Sequence, residues 1–202
     1  LSLILKNPAP DLPESGLASS ITAQLNLAPG SPFWDPDLYQ HTSAEKQGKR
    51  GQIISRGTLV VCNVSLVGQW IEEAKEKLAN PGLVYSYHGG GRSRDPKKLA
   101  AAAIVVTTYE TLASDATFHA KRSSDPDYVP PCEAVRWWRI IADESHVLRN
   151  SGNAKCDAVM NLIADNKWLV SGTPINTTVN DLKNQMKFLG IQHSTAIMEV
   201  FR

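Results

Sequence analysis

The sequence predicts an α/β fold with a mostly parallel sheet, and three observations carry that prediction. Short continuous apolar runs such as "TLVVCNV" and "AIVVTT" have the composition of strands buried on both faces. Segments with helical spacing separate these runs. Strands that alternate with helices need crossovers, and crossovers produce a parallel sheet covered on both sides.

Residues 7–56 come first and break the pattern. "NPAPDLPESG" and "LAPGSPFWDPD" make this a Pro/Ser/Gly-rich insertion, read as loop or disordered chain. Phe33, Trp34 and Tyr39 within it are free to dock on the core or on a partner. "TLVVCNV" is the first strand. "SLVGQWIEEAKEKL" follows as a helix whose Leu66, Trp70, Ala74 and Leu78 share one face. "LVYSYHG" is a second strand. "DPKKLAAA" is a short helix with Asp95 as N-cap and Pro96 at its first position. "AIVVTT" is a strand, and residues 114–133 read as a polar interruption. Beyond "VRWWRIIADESHVLRN" come a helix over residues 154–164, the strand "KWLVSG" and a helix over residues 179–189.

The totals set further bounds. A chain of 202 residues can hold one domain with a real core plus a non-core segment. With 42% hydrophobic and 20% charged residues, composition argues against wholesale disorder and against a coiled coil. A net charge of +1 leaves a nucleic-acid partner open, because a phosphate-binding face can be local. Cys62, Cys132 and Cys156 are far apart and form no CxxC pair, so neither a disulfide framework nor structural zinc is expected, and a reducing intracellular compartment is the better reading. The sequons at Asn63 and Asn176 are read as chance matches, since no signal peptide is visible. No apolar run spans a bilayer, so no membrane partner is expected.

The chemistry concentrates at strand ends. In an open parallel sheet, ligands bind outside the carboxyl ends of the strands. Asp143 and Glu144 stand at such an end. One carboxylate there can hold Mg²⁺ through its waters, and its neighbour can orient or deprotonate an attacking water. Taken alone, the pair is equally readable as a polar cap on a strand. It has company, however: His146 follows closely, and "VVCNVS", "VVTTYE" and "VSGTP" place small hydroxyl residues at other strand ends. Hydroxyls and exposed N–H groups suit phosphate oxygens.

At this point the sequence resembles a known family. "DESH" with "LVSGTPINTTVNDL" is similar to the acidic and coupling motifs of Swi/Snf-type DNA-dependent ATPases in helicase superfamily two. "TLVVCNVSLVGQW", "VVTTYETL" and "HVLRN" also resemble that family's motifs, in the family's order, over about residues 57 to 190. The resemblance implies a three-layer RecA-like lobe over residues 57–192, the first of two lobes in a nuclear motor that uses ATP and Mg²⁺ to move on duplex DNA or nucleosomes. Carried over by residue, Asp143 would hold the metal through water and Glu144 would activate water. His146 would link the ATP site to the coupling motif at Ser171, Gly172 and Thr173. Ser65, Gln69, Thr107 and Thr108 would face the DNA backbone. "KWLVSGTP", with its Trp168, leans towards the branch that often carries a ring finger and serves DNA-damage tolerance.

Departures from the family pattern are informative. Asn63 stands where the family usually has proline, and "INTTVNDL" replaces its Ile-Gln-Asn-Asn run. No GxxxxGKS/T phosphate loop occurs anywhere in the chain, and Gly48-Lys49 is followed by Arg50. The expectation is a phosphate loop just before Leu1, with "LSLILK" (residues 1–6) as the remainder of the helix it opens. The second lobe would follow Arg202, and residues 193–202 would begin that next segment. By itself the chain is expected neither to bind ATP tightly nor to hydrolyse it. "YHGGGRSR" is read as a turn that places Arg92 and Arg94 near DNA phosphate. Two alternatives stand beside the motor: a DNA- or protein-binding scaffold without turnover, and an RNA helicase lobe, against which "SGTP" argues.

Overall fold

The computed structural model describes residues 53–78, 80–122, 129–149, 152–174 and 181–191. The expected helix remnant at residues 1–6, the insertion up to residue 52, Asn150, the "INTTVN" run and residues 193–202 lie outside the described residues.

Six strands and five α-helices are described, besides three short 3-10 turns: β1 (Ile53–Ile54), β2 (Thr58–Cys62), α1 (Val67–Lys77), β3 (Val84–Tyr87), α2 (Pro96–Ala100), β4 (Ile104–Thr108), α3 (Tyr109–Arg122), β5 (Val135–Asp143), α4 (Ala154–Met160), β6 (Ile163–Val170) and α5 (Asp181–Phe188). Every strand pairing among them is parallel. β5 pairs with β1 and β2 along one edge and with β6, while β4 lies between β2 and β3.

The alternation of side chains along β2 and β4 explains the layers. Val60, Cys62, Ile104 and Val106 point to one face, where Val67, Ala74 and Leu78 of α1 and its C-terminal turn cover them. Leu59, Val61 and Val105 point to the other, packed with Leu99 of α2, Tyr109 and Leu112 of α3, Val159 of α4 and Phe188 of α5. The three-layer α/β/α architecture follows from this period of two on a sheet buried on both sides.

Three expectations are corrected. The sheet begins at Ile53, ahead of the expected boundary at residue 57, because β1 pairs with β5 at Ile53–Val135 and Ile54–Arg136. The polar stretch after Ser114 is helical through Arg122. The helix from Ala154 ends at Met160, and residues expected in its last turn belong instead to β6, which starts at Ile163. The N-cap reading of Asp95 holds: its Oδ1 accepts from Lys97 N–H at 3.0 Å, with Pro96 in the first turn.

β1 and β2 run along the same edge of β5 with one extra residue between them, since Ile54 faces Arg136 and Thr58 faces Arg139. Ser55 secures this bulge. Its Oγ donates to the Ala100 carbonyl and accepts from Gly57 N–H, both at 2.9 Å. A Cβ on Gly57 would stand 2.3 Å from the Ala102 carbonyl oxygen. Gly57→Ala is therefore expected to cost about 1–3 kcal/mol, as overpacking against backbone does, measurable as a lower urea midpoint at unchanged m-value.

Candidate active site and nucleic-acid edge

Parallel pairing brings the strand ends to one edge. Cys62 faces Thr108, Val61 faces Ala142, and Asp143 faces Val170, so the last residues of β2, β4, β5 and β6 form one row. The acidic pair, the Thr-Thr-Tyr-Glu segment and the "SGTP" segment thus meet on a single rim, although they are far apart in sequence.

Asp143 is held from three sides. Its Oδ2 accepts from Trp70 Nε1–H at 2.9 Å, and its Oδ1 accepts from Glu144 N–H at 3.0 Å. Its carbonyl accepts from the Tyr109 hydroxyl at 2.7 Å. Glu144 has a φ of 51°, the only positive φ at a non-glycine among the described residues. Such backbone costs of order 1–3 kcal/mol and gathers at functional sites. Its side chain is 41% exposed, open to solvent, and its Oε2 lies 3.2 Å from His146 Nδ1.

The donor set at Asp143 suits hydrated magnesium. Each carboxylate oxygen accepts one N–H and keeps a lone pair for a metal-bound water. Among the described residues no group of three or more His, Cys, Asp or Glu could form an all-protein metal cage.

Burial has changed the chemistry beside the pair. The Cys62 thiol is pushed up to about 12 from an ordinary 9.0 by burial, then by the carboxylates of Asp143 and Glu110. Burial, then the Asp143 charge, also raises the Tyr109 phenol well above its ordinary range, so it stays a donor. Because the folded pKa of Cys62 lies above its unfolded value, its contribution to stability is complete below about pH 9 and is lost as pH rises through about 12. At pH 8 Cys62 is expected to resist maleimide in the folded chain and to react on unfolding in urea, read by mass spectrometry.

The coupling segment reaches the acidic motif by a route the sequence did not reveal. Arg149 donates from Nη2 to the Thr173 carbonyl and also to Thr173 Oγ1, the latter at 3.3 Å. Thr173 N–H donates to Ser171 Oγ at 3.1 Å, and Gly172 is exposed between them. From α5, Asn184 Nδ2–H donates to the Arg149 carbonyl at 3.0 Å, and Gln185 Nε2–H donates to the Pro174 carbonyl at 2.9 Å. His146 was expected to make this link. Among the described residues its hydrogen bond goes to Glu144 instead, and Arg149 bridges to Thr173.

Of the residues expected to face the DNA backbone, Ser65 and Gln69 are exposed, with Gln69 Nε2–H donating to Glu73 Oε1 at 3.2 Å. Thr107 and Thr108 are not exposed, and the expectation that they face DNA is corrected. Both are fully buried. Thr107 Oγ1 donates to the Tyr87 carbonyl at 2.9 Å, and Thr108 Oγ1 caps α3 by accepting from Thr111 N–H at 3.1 Å. Arg92 is likewise turned inward, paired with Asp115 at 2.5 Å, while Arg94 lies over the Phe118 ring at 4.4 Å. Trp70, Tyr109 and Arg149 are the site residues that the sequence reading missed. Their one visible sign was position: each aromatic directly follows an expected DNA-facing residue.

Known proteins resemble this chain in sequence and in fold. The family model described as SNF2-related domain matches residues 16–202. DNA repair protein RAD5A of Arabidopsis thaliana is 39% identical over 138 residues, 67% of this chain and 13% of that protein. Helicase-like transcription factor of Homo sapiens is 32% identical over 139 residues, covering 68% of this chain and 13% of that protein. The solved Sulfolobus solfataricus SWI2/SNF2 ATPase core in complex with dsDNA superposes at a TM-score of 0.52 and 30% identity, over 67% of this chain and 25% of that one. The chain thus spans only about an eighth of the length of these curated relatives. With the acidic pair, the Thr-Thr-Tyr-Glu segment and "SGTP" on one rim of a parallel sheet, and a family match over nearly its whole length, the chain belongs to the SNF2-related family of helicase-like ATPase domains.

Proposed function

We propose that this chain supplies the acidic and DNA-facing parts of a DNA-dependent ATPase that couples ATP hydrolysis to movement on duplex DNA. One observation carries the reading: Asp143 is fixed at both carboxylate oxygens at the end of β5, while the neighbouring Glu144 carboxylate is open to solvent. Asp143 would hold magnesium through water, and the ion would neutralise charge on the β- and γ-phosphates of ATP. Glu144 would orient the attacking water and take its proton, and His146 would fix the Glu144 carboxylate through Oε2. Ser171, Gly172 and Thr173, tied to this motif by Arg149, would report the state of the site to the nucleic acid. Ser65 and Gln69 would contact the DNA backbone, which positions a strand without reading its sequence.

A nuclear role on damaged or nucleosomal DNA goes with this reading, and relatives named for DNA repair and transcription support it. The complete motor would need a phosphate loop and a second RecA-like lobe as partners. The 202 residues contain no GxxxxGKS/T, so the chain by itself is proposed to be without turnover. That same feature favours a second reading, a binding scaffold that never hydrolyses ATP.

The test replaces the matching segment of the Sulfolobus solfataricus SWI2/SNF2 ATPase core with residues 53–191 and measures ATP turnover with duplex DNA and with RNA. Turnover stimulated by duplex DNA in the chimera, with none from the isolated chain, is the expected result. A folded chimera that binds DNA without turnover would instead favour the scaffold, and stimulation by RNA would favour an RNA helicase lobe. Turnover by the isolated chain, abolished by Glu144→Gln, would overturn the proposed inactivity.

A further inference from the structure

We propose that Trp70 is a positioning residue that carries the state of the DNA-facing edge to Asp143, with Tyr109 as the fixed anchor on its other side. The inference rests on the function proposed above and adds a route by which DNA would control the metal site. Trp70 directly follows exposed Gln69 near the start of α1, whereas Tyr109 opens α3 behind the buried Thr108. Each sends its polar atom to the same residue. The indole N–H meets the Asp143 carboxylate at 2.9 Å across 73 residues of sequence, and the phenol meets the Asp143 carbonyl at 2.7 Å across 34. Asp143 is therefore pinned at its side chain by one helix and at its backbone by another.

The chemistry of the donors fits this task. A lysine or arginine on Asp143 would neutralise the carboxylate and compete with a divalent cation. A neutral indole N–H and a neutral phenol orient Asp143 and leave its charge for the metal. Tyr109 is fully buried and Trp70 only half-buried, so the phenol is the fixed anchor and the indole the adjustable contact. Hydrogen bonds weaken steeply with distance and angle, so a small rotation of α1 makes or breaks the indole contact. Asp143 Oδ1 in turn accepts from Glu144 N–H. A shift of α1 produced at Ser65 and Gln69 thus passes through Trp70 to the metal carboxylate and on to the water-activating residue.

The test uses the 202-residue chain, Mn²⁺ as a paramagnetic probe followed by NMR line broadening, and a fluorescent DNA duplex followed by anisotropy. Saturating duplex should raise Mn²⁺ affinity about tenfold, and Mn²⁺ should raise duplex affinity by the same factor, as linkage requires. Asp143→Asn should abolish Mn²⁺ binding. Trp70→Phe and Tyr109→Phe keep an aromatic ring and remove the donor. Each should bring the coupling factor close to one while DNA alone still binds with wild-type affinity, and thermal melting of both variants reports whether the fold is kept. If the chain binds both ligands independently, or if folded Phe variants keep the coupling, the relay is wrong and the proposed function stands. If the chain binds neither duplex nor Mn²⁺, the relay is wrong, and DNA-stimulated turnover of the chimera decides the proposed function separately.

Discussion

Glu144→Gln is expected to lower DNA-stimulated ATP turnover in the chimera by about 10²- to 10⁴-fold, the range typical of a lost general base. Glutamine keeps the shape of the side chain and removes only its capacity to accept a proton. The surroundings should survive the change. Glu144 N–H, which donates to Asp143 Oδ1, is backbone, and the side chain is 41% exposed, so the isosteric amide fits the same space. DNA affinity by anisotropy should stay at the wild-type level, which separates lost chemistry from lost folding. Full turnover in the variant would remove Glu144 from the mechanism. Glu144→Gly offers a contrast. It relieves a φ of 51° and should stabilise the fold slightly while also abolishing turnover, which places the strain in the service of the site.

Asp115→Ala carries the largest stability effect expected here, about 3–5 kcal/mol, the usual result of removing one member of a buried ion pair. Asp115 is 2% exposed. Its two oxygens take different partners: Oδ1 accepts from Arg92 Nη2 at 2.5 Å, and Oδ2 accepts from the Tyr87 hydroxyl at 2.6 Å. Arg92 also donates from Nη1 to the Gly89 carbonyl at 2.7 Å and lies over the Tyr87 ring. Alanine would leave a guanidinium largely enclosed and a phenol without its acceptor. Urea unfolding measures the loss. Hydrogen exchange should show the "GGG" turn after β3 opening first, since Arg92 is what ties that turn to α3. A loss below about 1 kcal/mol would mean that water replaces the carboxylate easily.

These two cases show which parts of the molecule were legible in the sequence. Strands β2, β4 and β5 were readable because a strand covered on both faces is mostly apolar, although β5 also buries Arg139. α1 and α2 were readable from spacing and from the Asp95-Pro96 start. β6 was misplaced at its beginning because "IADN" carries polar residues whose partners are remote. Asp165 pairs with Arg136, and Asn166 donates to the Trp138 carbonyl. α3 looked like a polar interruption for the same reason: Asp115 is spent on Arg92, and Thr117 Oγ1 bonds back to the Ala113 carbonyl at 2.8 Å. At the site, motif position alone pointed to Asp143 and Glu144 at the end of β5 and to Ser65 and Gln69, which are exposed. The burial of Thr107 and Thr108, the turn of Arg92 and the roles of Trp70, Tyr109 and Arg149 could not be read that way. Each depends on which strand ends become neighbours, and a local pattern does not encode that.

The place of β5 has a consequence for how the protein is made. It is the strand that joins β1 and β2 to β6, yet it is late in the chain, and Arg139 bonds to Thr58 across 81 residues. A ribosome adding about 5–20 residues per second needs roughly 4–16 s to span that gap. For that interval β2 has emerged with one apolar edge unpaired, a template for pairing with another nascent chain. Chaperone demand should therefore peak before residue 143 leaves the exit tunnel and fall once β5 has inserted.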